Sequence, residues 1–179
     1  MNLEDAWLTT YTGKKFYPFN PYPPDIDIRD IAHGLALTCR YSGQCAKFYS
    51  VAEHSVRLAK IVPMKYRMAA LLHDSAEAYL TDMPKMLKIA LSNYEILERD
   101  LLHNILLRFN VPQELIPPLK KYENALMASE CRDLMTSTEG WVLPERPLDI
   151  IIIPSPPRVA EREYVLAYHL LKENNAKPK

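Results

Sequence analysis

The run Met68-Ala69-Ala70-Leu71-Leu72-His73-Asp74 sets an imidazole and a carboxylate side by side in an otherwise apolar, helix-forming stretch. Burying that pair costs on the order of several kcal/mol unless a hydrogen bond, an opposite charge or a metal ion meets it. Any fold of this chain must therefore bring partners to His73 and Asp74, which makes the pair a metal-site candidate. Helical spacing adds Glu77, four residues after His73 and three after Asp74, to the same surface. His54, on the inward side of an earlier helix, supplies a third ligand from an antiparallel neighbour, and a borderline divalent ion accepts such mixed ligation. For a fourth, the helix from Leu119 offers Glu123 on its apolar stripe, four residues after Leu119 and three before Leu126. Glu130 and Asp133 lie further along that face, as next candidates or as structural acids paired with Arg132 or Arg40.

The rest of the chain reads as all-α. Only four of its 179 residues are glycine, and its fifteen prolines gather at the edges of leucine-, alanine- and glutamate-rich segments. A first helix is expected from about Ile28 to Arg40. A second follows a Ser50 to Glu53 capping box, with Val51, Ser55, Leu58 and Val62 inward. A third should run from Pro63 to about Tyr79 through His73 and Asp74. A short helix carries Lys85 and Lys88. A long one opens on a Ser92 to Glu95 capping box and buries Leu97, Leu101, Ile105 and Phe109. Another covers Leu119 to Thr136, burying Leu119, Tyr122, Leu126, Met127 and Leu134. The last follows Ser155-Pro156-Pro157, with Val159, Tyr164, Leu166, Leu170 and Leu171 inward. Residues 1–24, with the aromatic and proline-rich stretch 16–24, read as an arm that packs on the helices or on a neighbouring subunit. The expectation is one domain over 1–179, an irregular helical bundle.

Twenty-two basic and twenty-two acidic residues cancel, so nothing points to a nucleic-acid polymer or an anionic membrane, and a small anionic ligand fits better. Cys39, Cys45 and Cys131 match no zinc-ribbon or Cys-x-x-Cys spacing and read as small buried thiols in a reducing compartment. The longest apolar run, Ile150 to Ile153, is too short to span a bilayer, and no secretory h-region is visible, so a soluble, cytoplasmic protein is expected. His33 reads as a core residue and His103 and His169 as surface ones. By spacing alone, Asp82 is either an N-cap or a functional acid, and Lys85 and Lys88 form a solvated face.

His54, then His73-Asp74, then an inward acid on a later helix resembles the HD superfamily of metal-dependent phosphohydrolases. The segments Ser50-Val51-Ala52-Glu53-His54-Ser55 and Leu72-His73-Asp74-Ser75-Ala76-Glu77-Ala78-Tyr79-Leu80-Thr81-Asp82-Met83-Pro84, with Lys88, are similar to its bacterial 5′-deoxynucleotidases. They are closer still to the small bacteriophage enzymes that hydrolyse dATP. The resemblance covers roughly residues 16–171 and implies an HD-domain bundle. It makes His54, His73 and Asp74 metal ligands, and adds Glu123 where the family carries Asp in an Ala-Asp pair and this chain reads Tyr122-Glu123. By the same resemblance Glu77 orients or deprotonates the attacking water, Asp82 is an acid/base near phosphate and sugar, Arg40 and Lys88 hold phosphate, and Tyr41 stacks on base or sugar. Met86 stands where relatives often have proline, near the base pocket. The activity implied is a dNTP triphosphohydrolase preferring dATP, in which water activated by a divalent ion (Co, Mn, Zn or Mg) attacks the α-phosphorus and releases deoxynucleoside and triphosphate. The alternatives are a 5′-deoxynucleotidase acting on dNMPs and a non-catalytic nucleotide-binding scaffold. A homo-oligomer is expected, in the host cytoplasm if the chain is phage-encoded.

Overall fold

Asp27 accepts a hydrogen bond from the backbone N–H of Arg29 and thereby caps the first helix, α1 (Ile28–Leu37). In this computed structural model, which describes residues 2–176, the helices that follow are α2 (Val51–Ile61), α3 (Arg67–Leu72), α4 (Glu77–Leu80), α5 (Lys85–Ala90), α6 (Ser92–Arg108), α7 (Lys120–Leu134) and α8 (Pro157–Ala176). The one sheet among the described residues is an antiparallel ribbon, β1 (Leu8–Thr9) and β2 (Lys15–Phe16), with Leu8 opposite Phe16. The protein is thus all-α, as expected from its sequence. No helix among the described residues is long and apolar enough to cross a membrane.

The inward faces of α1, α2, α3 and α8 meet in one core that also takes in Phe16 of the arm and Ile26 just before α1. The arm packs on the helices: Phe16 is buried and lies against Tyr79 with the rings tilted by 34° and their centroids 4.4 Å apart. Helices α1 and α4 approach closely at Gly34, where a Cβ would lie 2.7 Å from the carbonyl oxygen of Ala78.

Several boundaries differ from the sequence expectation, each for a local reason. The continuous helix expected from Pro63 to Tyr79 is broken at His73, because side chains take over its carbonyls. His73 Nδ1 lies 2.8 Å from Ala70 O, Ser75 Oγ donates to Leu72 O at 2.6 Å, and the backbone tightens to three-residue bonds such as Ser75 N–H to Leu72 O. Only half of the Ser50 capping box forms. Ser50 accepts from Glu53 N–H, whereas the Glu53 carboxylate goes to Arg57 and to the backbone N–H of Ser155. Helix α6 starts on Ser92 with Leu91 as its N-cap. In α8 the buried stripe is Ala160, Tyr164, Tyr168 and Leu171, while Leu166 and Leu170, expected inside, are exposed. Cys39 and Cys45, expected to be buried, are partly exposed; Cys131 is buried.

A candidate metal centre

Helix α2 carries His54 into the interior, where its ring is fully buried, and the break after α3 turns His73 and Asp74 toward it. His54 Nδ1 lies 2.6 Å from Glu130 Oε1 and His73 Nδ1 lies 2.8 Å from Ala70 O. A carboxylate and a carbonyl only accept, so each Nδ1 is the donor, and in the neutral imidazole each Nε2 keeps a free lone pair. Both Nε2 atoms are buried without a hydrogen-bond partner. They lie 3.7 Å (His54) and 3.0 Å (His73) from Asp74 Oδ2, and the three ligand atoms fall within 4.8 Å of one another. Two imidazole lone pairs and a carboxylate oxygen converging on one point are a donor set that fits a divalent ion.

The electrostatics agree. Burial opposes the charge of Asp74, but His73, His54 and Arg40 outweigh it and hold its carboxyl well below the usual range. Burial also opposes protonation of His73, yet Asp74 beside it, with Glu123 further off, raises its pKa. Asp74 is thus matched by the positive charge that His73 takes up beside it. A proton on His73 and a divalent cation would compete for that role.

Glu130 is the residue beside this group whose place the sequence left undecided. Rather than ligating, it stands behind His54. Its oxygens receive the hydroxyls of Tyr41 at 2.5 Å and Tyr49 at 2.9 Å, and Arg40 Nε lies 3.4 Å away. Burial works against its charge, but Arg40 and His54 bring its pKa down to about 2. The signal in the sequence was its place two turns after Glu123 on an apolar helix face, where a carboxylate needs a dedicated partner. Arg40, expected to hold phosphate, sits 3.5 Å from Asp74 through Nη1 and so ties that carboxylate to Glu130.

Glu77 and Lys88 join His73 and Asp74 along a cleft of about 290 Å³ whose far wall includes Glu98 of α6. Lys88 Nζ is 3.6 Å from Glu77 Oε1 and 2.6 Å from Glu98 Oε1, so it is paired rather than merely solvated. Glu77 Oε2 is buried without a partner, and burial, followed by the charges of Asp74 and Asp82, raises its carboxyl well above the ordinary value. Asp82 follows Thr81, whose φ of 73° is strained for a β-branched residue, and lines an adjoining cleft with Cys39 and Ser42. Glu123 is not among the three converging ligands: its carboxylate pairs with Lys120 at 3.2 Å. A larger groove of about 1030 Å³, between Tyr11, Arg29 and α8, contains none of these residues.

No family model matches the chain. Over 129 residues it is 36% identical to the uncharacterized protein YfdR of Escherichia coli, an alignment covering 72% of each chain. The chain belongs to the YfdR family. It is also 37% identical over 129 residues to an uncharacterized protein of Rhodobacter capsulatus, covering 66% of each chain. As a YfdR-family protein it pairs a helical bundle with a buried His54–His73–Asp74 group that could hold a metal ion.

Proposed function

We propose that this protein is an HD-type, metal-dependent phosphohydrolase of deoxynucleotides, acting on dNTPs with dATP preferred and releasing deoxynucleoside and triphosphate. The observation that carries the reading is the pair of buried, partnerless Nε2 atoms facing Asp74 Oδ2, each imidazole oriented through its Nδ1. A divalent ion held there by His54, His73 and Asp74 would supply Lewis acidity to a phosphoryl oxygen and acidify a water. Glu77, on the same cleft wall, is the proton acceptor for that water, and Lys88 lies beside it to meet the phosphate charge. Arg40 neutralises the acids behind the site, and Tyr41 next to it is the candidate wall for sugar or base. Asp82 stands ready on the neighbouring turn as a second acid/base. Glu123 is read as an outer acid whose charge reaches His73 without ligation.

The test is incubation of the purified chain with each dNTP and dNMP in the presence of Mn²⁺, Co²⁺, Mg²⁺ or Zn²⁺, followed by identification of the phosphate product. Triphosphate from dATP is expected. Orthophosphate from dNMPs alone would make the protein a 5′-deoxynucleotidase, and metal binding without any product would leave a nucleotide-binding scaffold.

A further inference from the structure

Cys39 and Cys45 stand at the two ends of the loop that carries Arg40 and Tyr41, with their Sγ atoms 3.8 Å apart. Both are partly exposed, and Cys39 opens onto a cleft of about 470 Å³. The feet of the loop are pinned, with Arg40 N–H donating to Tyr49 O at 2.9 Å and Ala46 N–H to Leu134 O at 2.8 Å. Between them Tyr41, Ser42 and Gly43 lie in the left-handed region, at φ of 57°, 51° and 72°. The side chains on this loop reach the metal-candidate group: Arg40 lies 3.5 Å from Asp74, and Tyr41 donates to Glu130. A disulfide needs its sulfurs about 2.05 Å apart. With both feet held, the closing movement is taken up by the two side chains and the loop between them.

We propose that Cys39 and Cys45 form a reversible oxidation site, converted by hydrogen peroxide into an intramolecular disulfide that restrains the Arg40–Tyr41 loop. Cys39, on the cleft, meets the peroxide. Its sulfur bonds to one peroxide oxygen, the O–O bond breaks, and a sulfenic acid and one water result. Burial and the Cys39 thiol hold the Cys45 thiol above its ordinary pKa, which suits it to the slower, resolving role. The Cys45 sulfur then displaces the sulfenic oxygen, forming S–S, breaking S–O and releasing a second water. The two sulfurs together lose two electrons and the peroxide gains them. A dithiol reductant returns both thiols. Any effect of the loop on turnover rests on the hydrolase reading above; formation of the disulfide does not.

Trypsin cuts after Arg40 and Lys47, so Cys39 and Cys45 fall in separate peptides, 30–40 and 41–47. The full chain is treated with peroxide at mildly alkaline pH, alkylated and digested without reduction. The expected result is a linked 30–40/41–47 pair, with an intact mass lower by two hydrogens, both reversed by dithiothreitol and absent in Cys39→Ser and Cys45→Ser. Hydrogen exchange of the 41–44 amides should slow on oxidation of the wild type and stay unchanged in Cys45→Ser. Oxygen added to single cysteines without a link, or a link to Cys131 or between chains, overturns the site. A link with unaltered exchange overturns its coupling to the loop. If a serine variant does not fold, the linked peptide in the wild type still decides. A missing link leaves the hydrolase reading intact, and a link in a protein that turns over no deoxynucleotide overturns only the latter.

Discussion

Glu130 decides which nitrogen of His54 faces the site, because a carboxylate that accepts from Nδ1 leaves Nε2 for a ligand. Glu130→Gln keeps an acceptor but removes the charge, and such partners behind a metal ligand typically contribute about 10–100-fold to affinity. Equilibrium dialysis with Co²⁺ or Mn²⁺ should show a loss in that range; unchanged affinity would reduce Glu130 to packing. In the same assay His73→Ala and Asp74→Ala should retain no metal, whereas Glu123→Gln should retain it, since Glu123 is paired with Lys120 outside the converging group. Metal lost from Glu123→Gln would make Glu123 a fourth ligand after all. Glu77→Ala separates chemistry from ligation. It should bind metal and lose at least about 10²-fold in turnover, the usual worth of a placed acid/base.

Among the elements, the break between α3 and α4 matters most. An unbroken helix would keep the Ala70 and Leu72 carbonyls in its own ladder; here His73 and Ser75 claim them, and the chain turns Glu77 toward Lys88. Helix α4 is then held against α1 through Gly34. Gly34→Ala would drive a methyl into the Ala78 carbonyl at 2.7 Å, an overpacking that costs about 1–3 kcal/mol. Calorimetry should register a Tm lower by roughly 2–4 °C per kcal/mol in a chain of this size. Normal stability in Gly34→Ala would show that α1 and α4 can separate freely. The extended segment before α8 is held another way, by side chains acting as a neighbouring strand. Ser129 accepts from Leu148 N–H, Asp133 from Ile152 N–H, and Arg132 donates to the carbonyls of Leu148 and Ile150. Nothing in the local sequence announces such long-range partners. Four consecutive isoleucines show only that the segment prefers an extended, half-buried course.

For the whole molecule, acid sensitivity follows from the carboxyls the fold holds ionised. Asp27, hydrogen-bonded to Arg29, and Glu130, beside Arg40 and His54, both have pKa values brought down to about 2 from ordinary values of 3.8 and 4.5. Groups depressed in the folded state add stability above their unfolded pKa and lose it as pH falls toward their folded one. The urea midpoint should therefore drop between about pH 4.5 and 2, less steeply in Glu130→Gln. What the sequence determined by itself was whatever depends on neighbours a few residues away. Helix period, proline edges and the Ser50 cap specified an all-α chain, and the His73-Asp74 pair within an apolar run marked a place that needs partners, whereas the break after α3, which brings Glu77 onto their cleft, was not legible in the spacing. Tertiary structure decided what depends on contacts across many residues. It left Glu123 outside the converging ligands, set Glu130 behind His54 from 76 positions away, and pinned the loop between Cys39 and Cys45 through Ala46 to the Leu134 carbonyl. Helical periodicity fixes the face on which a side chain lies. How far it stands from a residue on another helix is set by where the two helices cross, and that is determined only when the whole core packs.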